Sequence, residues 1–320
     1  MTDDVPVRIR RARRDDHEAV AAISERTWPE REGGDYLADV FPEWVAGDGP
    51  DQRTFVACEA PGASGSRTKS DEADEDVTTG DVVGVVQAVR LSPYEAWYQG
   101  MRVHPEYRGR GVSAALNQAC LDWSRGWGAT VGRLMVFSWN VQGLGAARAN
   151  GFEPGTAFRW MHPGPDPDAV PENRVVEDPD AAYAYWTDSD AREHLGGLAL
   201  DFAETWACSE LTREDLARAD RVFAVQGDPA DGGGTRGATV RVRDYERDGQ
   251  RRVEYGMAAW EDVDALRDLL AAVARDAADL GADDVLVLIP ETARHVSDAA
   301  YAGTDVAGEP DFVLAADLNG

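Results

Sequence analysis

A glycine- and arginine-rich segment, residues 104–113, carries the residue types best suited to chemistry in this chain. It reads His-Pro-Glu-Tyr-Arg-Gly-Arg-Gly-Val-Ser. The apolar residues 96–103 before it are typical of a strand, and the spacing of Leu116, Cys120 and Trp123 predicts a helix after it. A turn between a strand and a helix aims backbone N–H groups and the positive end of a helix dipole at one point. The segment therefore predicts a phosphate-binding site.

Four residues of this turn refine the prediction. Gly109 and Gly111 permit positive φ angles and a close approach of the backbone, and Arg108 and Arg110 add positive charge. The sequence lacks the Gly-Lys-Ser/Thr ending of a nucleotide P-loop and the Gly-x-Gly-x-x-Gly pattern of a dinucleotide site. The alternative is a turn that uses its glycines only to enter a helix, because short motifs also match by accident.

The amino-acid sequence of the turn resembles the motif of a known family. Val-x-Pro-x-x-Arg-Gly-x-Gly, from Val103 to Gly111, is similar to the acetyl-CoA motif of the GNAT acetyltransferases. The core pattern of that family is Gln/Arg-x-x-Gly-x-Gly/Ala, which Arg108 to Ser113 match with serine in the last place.

A second segment carries the same resemblance. Asn140, followed by Asn150-Gly151-Phe152, is similar to the Asn-x-x-Ala…Tyr-x-x-x-Gly-Phe segment of the family. One departure is Ala147, which stands where the family usually has a tyrosine that protonates the departing CoA thiolate. A thiol with a pKa of about 8.5 is a fair leaving group without help, and water or Ser138 is an alternative donor.

The predicted elements of residues 6–161 follow the order strand, two helices, three strands, helix, strand, helix, strand. This is the GNAT order. The resemblance therefore implies an α/β (α+β) fold with a mixed, mostly antiparallel sheet flanked by helices. Residues 61–80, rich in Gly, Ser, Thr and acidic residues, are predicted as a hairpin loop.

The second half of the chain predicts a degenerate repeat. Residues 163–172 have the composition of a linker, and residues 253–318 repeat the order strand, long helix, strand, helix, strand. At the position of the basic turn stand Trp260-Glu261-Asp262, whose carboxylates would repel a pyrophosphate. We therefore predict a catalytic GNAT domain over residues 1–162 and a GNAT-like domain without a CoA site over residues 173–320.

Composition limits the partners. The 320 residues carry a formal net charge of −27, and Lys69 is the only lysine. Repulsion argues against nucleic acid and anionic membranes as partners. The composition resembles that of proteins from extreme halophiles, in which salt screens self-repulsion. A basic turn in so acidic a chain indicates a place where an anionic ligand binds.

The cysteines and histidines give no sign of a metal site. Cys58, Cys120 and Cys208 have neither metal-ligand spacing nor the spacing of a disulfide framework, which favours a reducing cytoplasm. The five histidines also lack ligand spacing, so we expect no metal. There is no apolar run of about 18 residues and no signal-peptide core, so we expect a soluble cytoplasmic protein.

The resemblance implies roles for ten residues in binding acetyl-CoA. The pyrophosphate would be held by Arg108, Gly109, Arg110, Gly111, Val112 and Ser113. The pantetheine arm would lie along Met101, Arg102 and Val103, with Asn140 on its other side. The backbone N–H of Val103 would polarise the thioester carbonyl, which gives it a catalytic role.

Direct attack by an amine requires a base that takes its proton. Glu95 is our candidate, because strand alternation would place it on the same side as Met101 and Val103. The alternative is a solvated loop carboxylate, which is the commonest state of glutamate. Glu30 and Glu32 are rivals, since the loop between the first two helices lines the acceptor site in this fold.

The acceptor is not specified by a motif. Tyr36 and Trp97 are predicted to shape its pocket, with Trp28 as a weaker candidate. Residues 35–44 and 101–112 resemble the vertebrate histidine N-acetyltransferase branch, which also has extra C-terminal sequence. We expect a small primary amine, such as an amino acid α-amine, and the alternative acceptor is a protein N-terminus.

Two other classes of function stay open. A non-catalytic acetyl-CoA-binding module is favoured by Ala147, which replaces the proton donor. A purely structural tandem fold predicts no affinity for CoA, and the intact basic turn argues against it.

Overall fold

The computed structural model describes residues 7–28, 35–60, 80–228, 230, 233–247 and 249–319. The chain divides into two compact units. Unit 1 consists of Met1–Leu134, Ala146–Phe152 and Ala316–Gly320, and unit 2 of Met135–Gly145 and Glu153–Ala315. Within the described ranges, every helix is too short or too polar to span a membrane.

The first nine elements confirm the predicted order as far as residue 149. They are β1 (Val7–Arg11), α1 (His17–Glu25), α2 (Leu37–Gly47), β2 (Gln52–Glu59), β3 (Val82–Arg90), β4 (Glu95–Val103), α3 (Val112–Gly126), β5 (Val131–Phe137) and α4 (Val141–Ala149). Strands β1 to β4 are antiparallel neighbours in chain order, and β5 runs parallel to β4. Residues 61–79 of the predicted hairpin loop lie outside the described residues.

The sheet of unit 1 is covered by helices because its strands are apolar on both faces. On one face, Val56 of β2 and Val85 of β3 pack against Leu37 and Phe41 of α2, all fully buried. On the other face, α3 approaches so closely that a Cβ on Gly84 would lie 3.0 Å from the Leu116 side chain. Successive residues of a strand face opposite sides, so Gly84 and Val85 mark the two faces.

A bulge in β4 changes which side chains share a face. Gln99 pairs with Gln87 and Arg102 with Val85, so β4 contains one residue more than β3 in this stretch. Gly100 lies in the bulge with a φ of +65°, which glycine adopts without strain. Because a one-residue bulge reverses the alternation, Arg102 rather than Val103 shares the face of Glu95. The prediction that simple alternation continues from Glu95 to Val103 was wrong.

Unit 2 contains the remaining elements. They are β6 (Glu153–His162), β7 (Val175–Val176), α5 (Pro179–Thr187), α6 (Asp190–Leu195), β8 (Leu198–Leu200), β9 (Cys208–Glu210), α7 (Arg213–Arg218), β10 (Arg221–Gln226), β11 (Thr235–Arg247), β12 (Gln250–Trp260), α8 (Val263–Leu280), β13 (Asp284–Pro290), α9 (Ala293–Ala302), β14 (Asp305–Val306) and β15 (Asp311–Asp317). The sequence did not predict α5, α7, β9 or β14, and it left β8 open between strand and helix.

The pairing of β6 differs from the predicted one. Its apolar pattern correctly predicts a strand, which we expected to close the sheet of the N-terminal half. In the structure β6 instead pairs antiparallel with β13, β14 and β15 inside unit 2. An apolar pattern defines a strand but not its partner, because pairing depends on tertiary packing.

Unit 2 repeats the strand geometry of unit 1. Strands β10, β11 and β12 are antiparallel neighbours, and β13 runs parallel to β12 over four residue pairs, as β5 does beside β4. The β11–β12 ladder also contains an extra residue on the second strand, between Tyr255 and Ala258. This stretch contains Gly256-Met257, where β4 has Gly100-Met101. The two ladders therefore share a bulge at a glycine–methionine pair, and the degenerate repeat stays a prediction.

Candidate functional site

The glycine turn leaves the start of α3 without a cap. Gly109 has a φ of +70° and Gly111 a φ of +79°, and Gly111 occupies the N-cap position with no side-chain hydrogen bond. The first helical bond runs from the Ala115 N–H to the Gly111 carbonyl at 3.0 Å. The N–H groups of the first turn, which holds no acidic residue, are consequently available to an anion.

The side chains of the turn make its surroundings positive. Arg108 and Arg110 are exposed, and Arg108 Nε donates a hydrogen bond to the Val103 carbonyl at 3.2 Å. The Arg110 guanidinium lies 5.8 Å from the ring centroid of Tyr107. The Tyr107 hydroxyl donates to Glu59, and this hydrogen bond raises the pKa of Tyr107 to about 12. Tyr107 therefore stays neutral beside the two arginines.

The ladder between β4 and β5 ends close to this turn. It runs from Glu95 to Tyr98, whereas β4 continues to Val103. The His104 N–H bonds the Val83 carbonyl at 2.9 Å, and bonding alternates along an antiparallel ladder. The Val103 N–H therefore points away from β3, towards the side of β5, as predicted for the residue that would polarise a carbonyl.

Two predicted residues of the arm take different positions. Met101 is half-buried in β4. The side chain of Arg102 turns to the opposite face and forms a bidentate ion pair with Asp35, with Nε–Oδ2 at 2.7 Å and Nη2–Oδ1 at 2.9 Å. It contacts Trp28 and Tyr36 at 4.3 Å and 5.7 Å from their ring centroids. The Arg102 side chain is thus engaged with Asp35, and only the backbone of Arg102 could bind the pantetheine arm of CoA.

The predicted acceptor residues are dispersed. Tyr36 is 38% exposed at the start of α2 and can contact a ligand. Trp97 is 1% exposed, so it can affect an acceptor pocket only by positioning the residues that pack against it. Glu30 and Glu32 lie outside the described residues. Sequence reasoning missed Asp35 as the partner of Arg102, and its one available signal was Gly100, since an isolated glycine in a strand pattern indicates a bulge.

The position of Glu95 argues against its predicted role as general base. Glu95 is buried at the start of β4, and its carboxylate accepts a hydrogen bond from Arg133 Nη1 at 2.5 Å. Eight residues of extended strand, about 26 Å, separate it from Val103. A base must lie within hydrogen-bond reach of the amine or one water away. Glu95 is therefore a structural ion-pair residue.

We expect Glu95→Gln to lower the free energy of unfolding by about 3 kcal/mol, because Arg133 loses its charged partner in a buried setting. Urea unfolding measures the loss, and the double variant Glu95→Gln/Arg133→Met should recover most of it. Acetyl transfer by the double variant should match wild type. A hundredfold loss of kcat in a stable double variant would restore Glu95 as the base.

Two residues of the second family segment keep a structural role. The Asn140 side chain accepts a hydrogen bond from the Gly143 N–H at 2.9 Å and caps α4. Ala147 is buried in the same helix, so the position where the family usually has tyrosine supplies no proton donor. The role of Asn140 beside the pantetheine arm stays a prediction.

The corresponding place in unit 2 is neutralised by the chain itself. Asp262 caps α8 through the Ala265 N–H at 3.0 Å, and Arg236 pairs with both Glu261 and Asp262. Strand β8 packs against the bulge of β12. A Cβ added to Gly256 in that bulge would lie 3.4 Å from the Leu200 carbonyl oxygen of β8. Two carboxylates and their arginine partner therefore occupy the place where the turn of unit 1 carries two arginines.

Comparison with known proteins points to one family. The sequence profile of the acetyltransferase (GNAT) family matches residues 18–152. A GCN5-related N-acetyltransferase from Sphaerobacter thermophilus is similar in structure, with a TM-score of 0.60 and 14% identity over 99% of this chain and 98% of that one. No curated protein matches the chain at a significant level.

Two further solved structures resemble the chain more weakly. A putative acetyltransferase from Pyrococcus horikoshii has a TM-score of 0.49 and 16% identity over 97% of this chain and 89% of that one. The putative acetyltransferase yncA from Salmonella typhimurium, with its cofactor acetyl-CoA, has a TM-score of 0.36 and 18% identity over 48% and 83%.

The fold assignment depends on the Sphaerobacter structure, and at that identity the likeness concerns the fold alone. The matched residues 18–152 contain the glycine turn and both strands of the β4–β5 ladder. Residues 18–152 therefore match the GNAT family of acetyltransferases, and they hold the candidate site.

Proposed function

We propose that this protein is an acetyl-CoA-dependent N-acetyltransferase that acetylates the primary amine of a small molecule, such as an amino acid. The observation that carries the proposal is the uncapped basic turn beside the end of the β4–β5 ladder, where the Val103 N–H faces away from β3. We assign the catalytic domain to residues 1–162 and a domain without a CoA site to residues 173–320.

The residues of the turn fit a pyrophosphate. A Cβ at Gly109 would have no heavy atom within 4 Å, so the backbone there is open to a ligand. The N–H groups of Val112 and Ser113 would donate to phosphate oxygens at the positive end of α3. Arg108 and Arg110 would add charge-assisted hydrogen bonds. The first turn of α3 itself contains no acidic residue.

Acetyl-CoA supplies the acetyl group as a thioester. The Val103 N–H would donate to the carbonyl oxygen and stabilise the charge that develops there. The amine nitrogen bonds to the carbonyl carbon, the carbon–sulfur bond breaks, and the amine proton leaves to a base or water. The thiolate takes up a proton from solvent, since Ala147 cannot donate one.

Ala147 also supports a second candidate, a non-catalytic acetyl-CoA-binding module. Its methyl group is buried and carries no proton donor. Binding without turnover would identify such a module.

Calorimetry with acetyl-CoA tests both candidates. We expect one molecule bound per chain, because Glu261 and Asp262 close the corresponding place in unit 2. Release of free thiol with a panel of amino acids and alkylamines then separates an enzyme from a module. Two molecules bound would overturn the assignment of unit 2, and none bound would overturn both candidates.

A further inference from the structure

Buried carboxylates in unit 2 have strong partners. Asp276 pairs with Arg241 at 2.9 Å and Glu254 with Arg243 at 2.5 Å. Asp268 accepts from the N–H groups of residues 172 and 173 at 2.7 and 3.1 Å. Arginines thus compensate the charges of Asp276 and Glu254, and several N–H donors satisfy Asp268.

Asp311, at the start of β15, is different. It is 6% exposed, and among the described residues its carboxylate has a single hydrogen-bond donor, the Trp160 indole, with Nε1–Oδ2 at 3.1 Å. No described arginine or histidine pairs with it. Burial raises the pKa of Asp311 to about 6. At neutral pH the structure therefore holds a buried negative charge with no positive partner.

A row of aromatic side chains begins at this carboxylate. The Trp160 ring lies 5.7 Å from the Trp206 ring, the Trp206 ring 6.2 Å from the Phe137 ring, and the Trp139 ring stacks on Phe137 at 5.3 Å between centroids. We call these four residues the aromatic row. The Trp160 end of the row meets the Asp311 carboxylate. At the other end, Ser138 lies between Phe137 and Trp139 in the sequence, and its N–H donates to the carbonyl of residue 310 at 3.3 Å.

Trp206, which lies between Trp160 and Phe137 in the row, belongs to a constrained loop. Trp206 has a φ of +64°, a conformation that bulky residues rarely adopt. Asp201 fixes the loop by accepting from the Ala203 and Glu204 N–H groups at 2.9 and 2.7 Å and from the Ser209 hydroxyl at 2.9 Å. The loop thus presents an indole in a strained backbone position, which is typical of a functional contact.

We propose that Asp311 and the aromatic row form a binding site for an organic cation, a primary ammonium carried on an aromatic or alkyl group. Ring faces attract cations and cover the carbon skeleton of such a ligand. The free capacity of the carboxylate supplies an acceptor and the missing counter-charge. A primary ammonium suits it better than a quaternary one, because only the former donates N–H groups.

The site lies wholly within unit 2, and ligand binding there does not require the proposed acetyl transfer. The acceptor of that reaction belongs to the same chemical class. If the protein did not bind acetyl-CoA, the proposed acetyltransferase function would be overturned, but the proposed cation site would be unaffected.

The test titrates the full chain with phenethylammonium and with neutral 2-phenylethanol, followed by tryptophan fluorescence and calorimetry. In Asp311→Asn the amide oxygen can still accept from Trp160, but the charge is gone. We expect at least a tenfold loss of affinity for the ammonium and no more than a twofold change for the alcohol. Trp206→Leu should weaken both ligands.

Glu309→Gln is the matched control, because it removes an exposed carboxylate two residues earlier. It should change the ammonium affinity less than twofold. Asp311→Asn should unfold at the same or a higher temperature than wild type at pH 7.5, since it removes an uncompensated buried charge. Equal ammonium affinity in wild type and Asp311→Asn, or no binding by wild type at millimolar concentration, would overturn the proposal.

Discussion

Gly111→Glu should lower the affinity for acetyl-CoA at least a hundredfold. Gly111 is exposed, has a φ of +79° and immediately precedes the free N–H groups of α3. A glutamate there places a carboxylate where we expect the pyrophosphate, at the helix end that favours anions. The variant should stay folded, because the cost of a left-handed non-glycine residue is only about 1–2 kcal/mol.

Calorimetry with acetyl-CoA at fixed salt measures this effect, and two variants separate its causes. Gly111→Ala carries the backbone strain without the charge, so we expect a loss of no more than about tenfold. Gly128→Glu places the same residue at a positive-φ, exposed glycine beyond the other end of α3, and its affinity should equal that of wild type. Wild-type affinity in Gly111→Glu would place the CoA site elsewhere.

The parts of the site that were predictable from sequence are local ones. The strand before Gly109, the positive φ of the two glycines and the helix after Gly111 follow from short-range rules about conformation. The direction of the Val103 N–H depends on the neighbouring ladder, and the catalytic role that the family resemblance implies for it stays a prediction. Local signals were sufficient here because the turn, the strand and the helix are contiguous in the chain.

The errors came from features that depend on distant residues. The alternation argument for Glu95 failed because it assumed a regular strand through Gly100. The ion pair of Glu95 with Arg133 joins residues 38 positions apart on parallel strands, and no spacing rule predicts it. The buried, unpaired state of Asp311 could not be predicted for the same reason, because the sequence does not show which residues pack around a single aspartate at the start of a strand.

The pairing of β6 shows the same limit on a larger scale. A regular apolar pattern predicted the strand within a residue or two of its observed ends. Its neighbours β13 and β15 come from more than a hundred residues later in the chain. The element order led us to predict an internal repeat, which stays a prediction, and the glycine–methionine bulge common to β4 and β12 was not predicted.

Arg102→Met should lower the free energy of unfolding by about 3–5 kcal/mol, the usual effect of removing one partner of a buried ion pair. The Asp35 side chain is 1% exposed and the Arg102 side chain 7%, so water cannot replace the lost contact. Among the described residues, the Leu37 N–H at 3.3 Å would be the remaining donor to that carboxylate. The stacking of Arg102 on Trp28 would be lost too.

Urea unfolding at pH 7 measures this loss, and Arg125→Met is the matched control. Arg125 pairs with Asp122 at 3.5 Å on the exposed surface of α3, and such pairs contribute at most about 0.5 kcal/mol. The double variant Arg102→Met/Asp35→Leu should regain most of the stability, because replacing both charges leaves no unpaired group. A loss below about 1 kcal/mol in Arg102→Met would show that the pair is not buried in solution.

The same variants separate the two faces of β4. Arg102 lies on the α1–α2 side of the sheet, whereas the Val103 N–H points along the sheet towards the side of β5. If the bulge divides these roles as the register indicates, the stable double variant should bind acetyl-CoA with wild-type affinity. A weakened affinity in a folded double variant would mean that the Arg102 side chain reaches the pantetheine arm, as the family resemblance alone had implied, and that the bulge does not separate the two surfaces.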